Sequence, residues 1–515
     1  MSRGNAVAIL SALATTCLWG CPSSSGGDIP ADGPGITTNP ATNGSESEGD
    51  GTPSDPNETS GNGPDTGSIT SGPTPDGTDT SGPTPDGTDT RGADTGVADT
   101  GSTDDGETDS GSSDSSSSDT DPPPGCGEPL SPPATYAYGD DVPPSQDPPG
   151  GLMVDEVPMF VVLSWDDNAY SGIPGSGGDG GMTWANSLAD TRTNPAGEGN
   201  PATYDGTPIH MSYYMTSTYI ETWHSESPTY NKQAWRQAYD QGDEIGNHTH
   251  THPHGQESNE MAWALEIENC NDWLTAPFDP AEAIGVPNPS AGVGVPAVEV
   301  YGFRAPYLEY NDAALDVLTQ NDFWYDTSIE EGFQPAQDGT NFFWPYTLDG
   351  GSPGHDLLVS WGLNDPITPK PGLWELPLYT VIVPPDDLAV QYGFEPGLRD
   401  RLADLHAWWD PTSAKITGFD YNLWVLFDMN RDEFLATLQY SYDLHLDGNR
   451  APFIFGAHTD YYNSKYTGAQ SSTHTERQEA IEEFLDYVLL NSETRVVSSK
   501  QFLDWMRDPH PMACD

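Results

Sequence analysis

From Pro22 to about Pro124 the chain offers almost no side chain that could enter a core. The stretch is built of Gly, Ser, Thr, Asp and Pro, and the run from Ser71 to Thr80 recurs identically at 81–90. Such composition cannot bury enough apolar surface to offset the entropy of ordering it, so it reads as a disordered, self-repelling acidic linker. Whatever folds must come after it. The chain therefore divides into a leader at 1–20, a linker at 21–124 and a folded domain at 125–515.

The leader has Arg3 ahead of an apolar run from Ala6 to Leu18 that is too short to span a bilayer stably. Leu18-Trp19-Gly20-Cys21 resembles the lipobox of bacterial lipoproteins, which implies cleavage before Cys21 and lipidation of its thiol. The expectation is an exported protein of the bacterial cell envelope or surface, touching membrane only through that lipid. An ordinary secretory signal and a secreted product is the alternative.

The chain carries 80 Asp and Glu against 17 Lys and Arg, a formal net charge of -63. Nothing with that field can displace counterions from phosphate, so nucleic acid is excluded as a partner. The charge otherwise speaks of environment, with adaptation to a salty medium favoured over an acidic docking surface. Once Cys17 is removed and Cys21 modified, Cys126, Cys270 and Cys514 remain of the five cysteines. A Cys126–Cys514 bridge that clasps the ends of the folded part is one pairing of this odd set. Oligomeric state is left open.

Beyond Val157, strands and helices alternate. Val157–Leu163 is a continuous apolar run, the pattern of a buried strand, ending at Ser164-Trp165-Asp166-Asp167. Strands are expected at 209–215, 244–246, 298–303, 323–326, 453–455 and 494–497. Helices are expected at 231–241, from Ser258 to about 274, and at 312–319, 431–446, 476–490 and 499–506. The Pro-, Gly- and Trp-rich stretch from about 330 to 428 resists assignment. The pattern argues a parallel α/β architecture, with Asp166, Asp167, His248, His252, Arg304, Asp326 and His458 just past strand ends, where barrel enzymes keep their sites.

Four of the twelve histidines, His248, His250, His252 and His254, fall within seven positions. His248 and His252 stand four apart, which on a helical turn would put both imidazoles on one face. With Asp167 they can form an Asp-His-His metal set with open positions, and His250 and His254 are expected to flank it. Asp166 can then take a proton from metal-bound water, Arg304 can keep Asp166 ionised, and His458 can protonate a leaving group.

Ser164-Trp165-Asp166-Asp167 resembles the first motif of the polysaccharide deacetylases, the NodB-homology carbohydrate esterases of family 4. Asn247-His248-Thr249-His250-Thr251-His252-Pro253 is similar to their second motif and Arg304-Ala305-Pro306-Tyr307 to their third. Ala457-His458 falls where their final motif ends in histidine. The flanking Tyr325-Asp326-Thr327-Ser328-Ile329, Trp344-Pro345-Tyr346-Thr347 and Leu373-Trp374-Glu375 look like the chitin-deacetylase-like branch. The resemblance covers roughly 157–506 and implies a distorted (β/α) barrel of NodB-homology type with large insertions.

It implies metal-dependent removal of N-acetyl groups from an amino-sugar polymer or oligomer, with chitin-type glycan favoured and peptidoglycan possible. Asp167, His248 and His252 would bind a divalent metal, zinc being the expected ion. Asp166 would be the base, oriented by Arg304, and His458 the acid, tuned by Asp326. Backbone near Tyr307 would stabilise the oxyanion. An N-acetylated glycan is the expected partner. The alternatives are an inactive carbohydrate-binding surface lipoprotein on the same scaffold, or a non-sugar amidase.

Several readings stay open. Arg304 could be a plain structural arginine, and Asp326 an ordinary turn residue. Asn168 stands where the family has a small residue and could narrow or polarise the pocket floor. Gly456-Ala457 lacks the leucine that commonly backs the acetyl methyl, and Ile329-Glu330 stand where an Asp and a Trp are usual. Trp344 or Trp374 could supply the missing groove aromatic, and either could equally be a core residue.

Overall fold

The computed structural model describes Leu130 and residues 139–514. The leader, the linker, Cys21 and Cys126 lie outside the described residues. Cys514 is disulfide-bonded and Cys270 is a buried free thiol.

The predicted apolar run is the central strand β1 (Met159–Asp166), buried at all eight positions. It is buried on both sides because it pairs in parallel with three strands: β2 (Ser212–Met215), β11 (Phe453–His458) and β12 (Thr494–Val496). From β2 the sheet continues in parallel through β3 (Glu244–Asn247), β4 (Gly302–Phe303) and β5 (Tyr325–Asp326). It reaches β8 (Trp374–Glu375), whose antiparallel neighbour is β7 (Tyr346–Thr347).

The stretch that resisted assignment completes the wall. The chain of β5 runs on into β6 (Glu330–Glu331), which pairs in parallel with β9 (Leu378–Ile382). β10 (Lys415–Thr417) pairs antiparallel with β9, and just beyond it Phe419 bridges Gly456 of β11. The circuit is thus closed as a distorted barrel. The segment at 330–428 is part of the barrel wall, not only an insertion upon it.

Side-chain alternation on β1 decides what faces where. Ser164 and Asp166 share one face, where Arg304 Nη1 donates to both, at 2.9 and 2.8 Å. Trp165 points the other way and packs against Trp184, Tyr213 and Tyr462. The helix Pro228–Asp240 starts with a proline in its first turn and buries Ala234, Trp235 and Ala238, the face its spacing predicts. It stops before Gly242 at φ 91°, a left-handed position that favours glycine.

Strand ends differ most from expectation. The run at 298–303 keeps only Gly302–Phe303 as strand, because Ala297–Glu299 coils into a 3-10 turn. The last three strand residues of β11, Gly456, Ala457 and His458, lie beyond the expected strand at 453–455, because pairing with β1 extends it to His458.

Candidate active site

At the end of β1 the backbone turns through two left-handed non-glycine residues, Asp167 at φ 65° and Asn168 at φ 66°. Such conformations cost on the order of 1–3 kcal/mol each and persist only where surroundings fix them. Here Asn168 is buried and fully engaged. Its Nδ2 donates to the carbonyls of Trp165 and Tyr214, its Oδ1 accepts from Thr459 Oγ1, and its carbonyl accepts from Trp235 Nε1. It braces the turn and does not line the pocket, so the expectation that it narrows the pocket floor is corrected.

The second motif follows β3, and the helical turn expected there does not form. His248–His254 is a loop kinked at Thr249 (φ 66°) and His252 (φ 57°). Asn247 Oδ1 accepts the Thr249 N–H and Thr249 Oγ1 accepts the His252 N–H, so the loop, not a helix, brings the two imidazoles together. One ligand atom each from Asp167, His248 and His252 can be chosen so that all three lie within 4.8 Å of one another. His252 Nε2 is 3.3 Å and His248 Nε2 3.8 Å from Asp167 Oδ1.

His248 Nδ1 hydrogen-bonds the Arg304 carbonyl at 2.8 Å, which makes Nδ1 the protonated nitrogen and leaves the Nε2 lone pair facing Asp167. Burial, aided by the nearby His252, pushes the His248 pKa down to about 3, so the ring is a neutral donor. An Asp-His-His set with this tautomer fits a divalent cation of borderline softness. His250 is turned to Glu221 and Ser217, and His254 to Glu309, so both stand outside the cluster.

Asp166 and Arg304 are both buried. Beyond Asp166 and Ser164, Arg304 donates through Nε to the Thr327 carbonyl and through Nη2 to Thr327 Oγ1, and it lies over the Tyr214 ring. Burial raises the Asp166 pKa above its ordinary 3.8, against the lowering effect of Arg304.

Asp420, which sequence reasoning missed, holds His458. Its Oδ1 lies 2.8 Å from His458 Nδ1, and its Oδ2 accepts the His458 backbone N–H at 2.9 Å. Burial opposes charge on this imidazole, but the Asp420 carboxylate outweighs it and raises the pKa to about 9. Asp326 is engaged elsewhere: it accepts from the Ser328 hydroxyl and N–H and from the Glu375 carboxyl, and burial raises its own pKa to about 6. The expectation that Asp326 tunes His458 is corrected accordingly. Asp420 stands just past β10, in the unassigned stretch, and its only sequence signal is an Asp with Trp424 four residues on.

Asp166, His248, His252, Tyr307 and His458 line one pocket with Ala305, Leu308, Phe419, Tyr421 and Tyr461. Glu330, Thr417 and Asn422 join the same wall, and the Thr417 hydroxyl donates to Glu330. Tyr307, itself left-handed at φ 57°, sets its ring 4.5 Å from that of His252 and stacks on His254 at 4.2 Å. Trp344 and Trp374 are core residues, so neither is the groove aromatic. The missing leucine also has a physical account. A Cβ at Gly456 would come within 2.5 Å of the Phe419 ring, which fills that space and packs 4.9 Å from the His458 ring.

The closed α/β circuit thus carries an Asp-His-His cluster at its strand ends. The family model for polysaccharide deacetylase matches residues 205–287, the stretch that holds β2, β3 and the histidine loop. A protein from Mycobacterium smegmatis assigned to the polysaccharide deacetylases is 15% identical, with a TM-score of 0.37 over 71% of this chain and 95% of that one. A family 4 carbohydrate esterase from Streptomyces lividans, in complex with acetate, is 17% identical, with a TM-score of 0.20 over 33% of this chain and 64% of that one. A family 4 pseudoenzyme from Bacillus anthracis is 8% identical, with a TM-score of 0.30 over 67% and 66%. No curated protein matches the sequence.

Proposed function

We propose that this protein removes N-acetyl groups from an amino-sugar polymer or oligomer, with chitin-type glycan favoured over peptidoglycan. The observation that carries the reading is the convergence on one pocket of three elements: the Asp167–His248–His252 cluster, the Asp166–Arg304 pair and the His458–Asp420 pair. Asp167, His248 and His252 would hold a divalent cation, for which zinc suits two imidazoles and one carboxylate. Bound there, the cation would supply Lewis acidity beside the amide carbonyl.

The rest falls to the chain. Asp166, kept ionised by Arg304 yet raised in pKa by burial, takes a proton from the water that attacks the carbonyl carbon. Backbone at Tyr307 stabilises the oxyanion that develops. His458, cationic beside Asp420, gives its proton to the departing nitrogen as the carbon–nitrogen bond breaks, leaving acetate and a free amine. Ala305, Leu308, Phe419 and Tyr461 give the acetyl methyl an apolar surround.

The test is acetate release from chito-oligosaccharides and, separately, from peptidoglycan fragments. Release should be abolished by a chelator, restored by divalent metal, and lost in Asp166→Asn. Absence of chelator-sensitive acetate from both substrates would sink the reading.

A further inference from the structure

We propose that Asp460 is a positioning residue for Asp167, and so sets the cation affinity of the cluster without touching the ion. The inference rests on the reading of Asp167, His248 and His252 as cation ligands. Asp167 and Asn168 both hold positive φ, a conformation that a non-glycine residue does not keep unaided. The next two residues are tied to one atom: Asp460 Oδ1 accepts the Ala169 N–H at 2.9 Å and the Tyr170 N–H at 3.2 Å. The adjacent Thr459 hydroxyl donates to Asn168 Oδ1 at 2.9 Å. Three consecutive residues after Asp167 are therefore fixed by the two residues that follow His458.

The arrangement has a further consequence. His458 closes β11, and the turn Thr459–Tyr462 begins at once. Asp460 thus ties the ligand end of β1 to the segment carrying the proton donor, although nearly the whole barrel separates them in sequence. Burial and the neighbouring Asp167 raise the Asp460 pKa to about 8, so Asn is a close mimic of its neutral form. Either form keeps an oxygen that can accept both backbone N–H groups.

The experiment compares wild type, Asp460→Ala, Asp460→Asn and Thr459→Val for affinity towards zinc and cobalt, by competition with a chromophoric chelator. The cobalt absorption spectrum and the thermal transition of the metal-free proteins are recorded beside it. Asp460→Ala should bind metal about 10- to 100-fold more weakly, as loss of an outer support does. Asp460→Asn should stay within about threefold of wild type, and Thr459→Val should fall between them. In the acetate assay Asp460→Ala should need correspondingly more metal for half-maximal activity, and saturating metal should bring kcat back towards wild type.

Wild-type affinity in Asp460→Ala, with wild type itself binding metal, overturns the proposal and leaves the cation reading standing. Equal loss in Asp460→Asn and Asp460→Ala also overturns it, since charge rather than hydrogen-bond acceptance would then be at work. Wild type that binds neither ion overturns both. If Asp460→Ala fails to fold, Thr459→Val decides: unchanged affinity in that variant counts against the clamp.

Discussion

Asp420 meets His458 twice, side chain to ring at 2.8 Å and side chain to backbone N–H at 2.9 Å. The double contact fixes both where the imidazole sits and what charge it carries. Replacing Asp420 with Asn keeps an acceptor but removes the charge that holds the pKa at about 9. In the proposed reaction His458 is the acid and must be protonated, so activity should fall as pH rises through its pKa. The high-pH limb of kcat/KM should move to lower pH in Asp420→Asn, with a loss of about 100-fold at pH 8. Asp326→Asn should leave that limb where it is. The same pair shapes stability: with a folded-state pKa above 6.5, its contribution is complete below about pH 6.5 and is lost as pH rises through about 9.

Arg304 is fully buried and supplies the charge that compensates Asp166. Arg304→Met leaves an unpaired buried carboxylate, which should cost about 3–5 kcal/mol in urea denaturation at neutral pH. Part of that loss should be regained in acid, where Asp166 is protonated. In whatever folds, the low-pH limb of the activity profile should move upward, because Asp166, the proposed base, loses the cation that favours its ionised form.

Chelation should act on stability as well as on rate. A cation that binds only the folded state at a hundred times its Kd adds about 2.7 kcal/mol, read as a concentration-dependent rise in Tm. His248→Ala and His252→Ala should each abolish that rise. His250→Ala should keep it, since His250 is turned to Glu221 and Ser217.

Gly456 and Phe419 share one volume, so Gly456→Ala tests the pocket wall. The added Cβ must displace the Phe419 ring, at an overpacking cost of about 1–3 kcal/mol. Because Phe419 packs on His458 and lines the pocket, acetate release should drop further than stability alone explains. Pairing the change with Phe419→Leu, which frees the space, should recover part of both.

Asp166, Asp167, His248, His252, Arg304 and His458 were legible in the sequence because each sits in a short local pattern at the end of a strand. The buried strand at Met159–Asp166 was legible because a continuous apolar run has few other ways to be satisfied. What the sequence did not determine is long-range. The two histidines converge through left-handed kinks at Thr249 and His252 where spacing suggested a helical turn, since the backbone path there is set by Asn247, Thr249 and the neighbouring strands. Only the closed barrel brings Asp420 to His458, seats Asp326 against Glu375, and puts Phe419 in the space a leucine would fill. Charge state and partner choice for a buried group depend on which distant residues bury it, and that is a property of the tertiary structure alone.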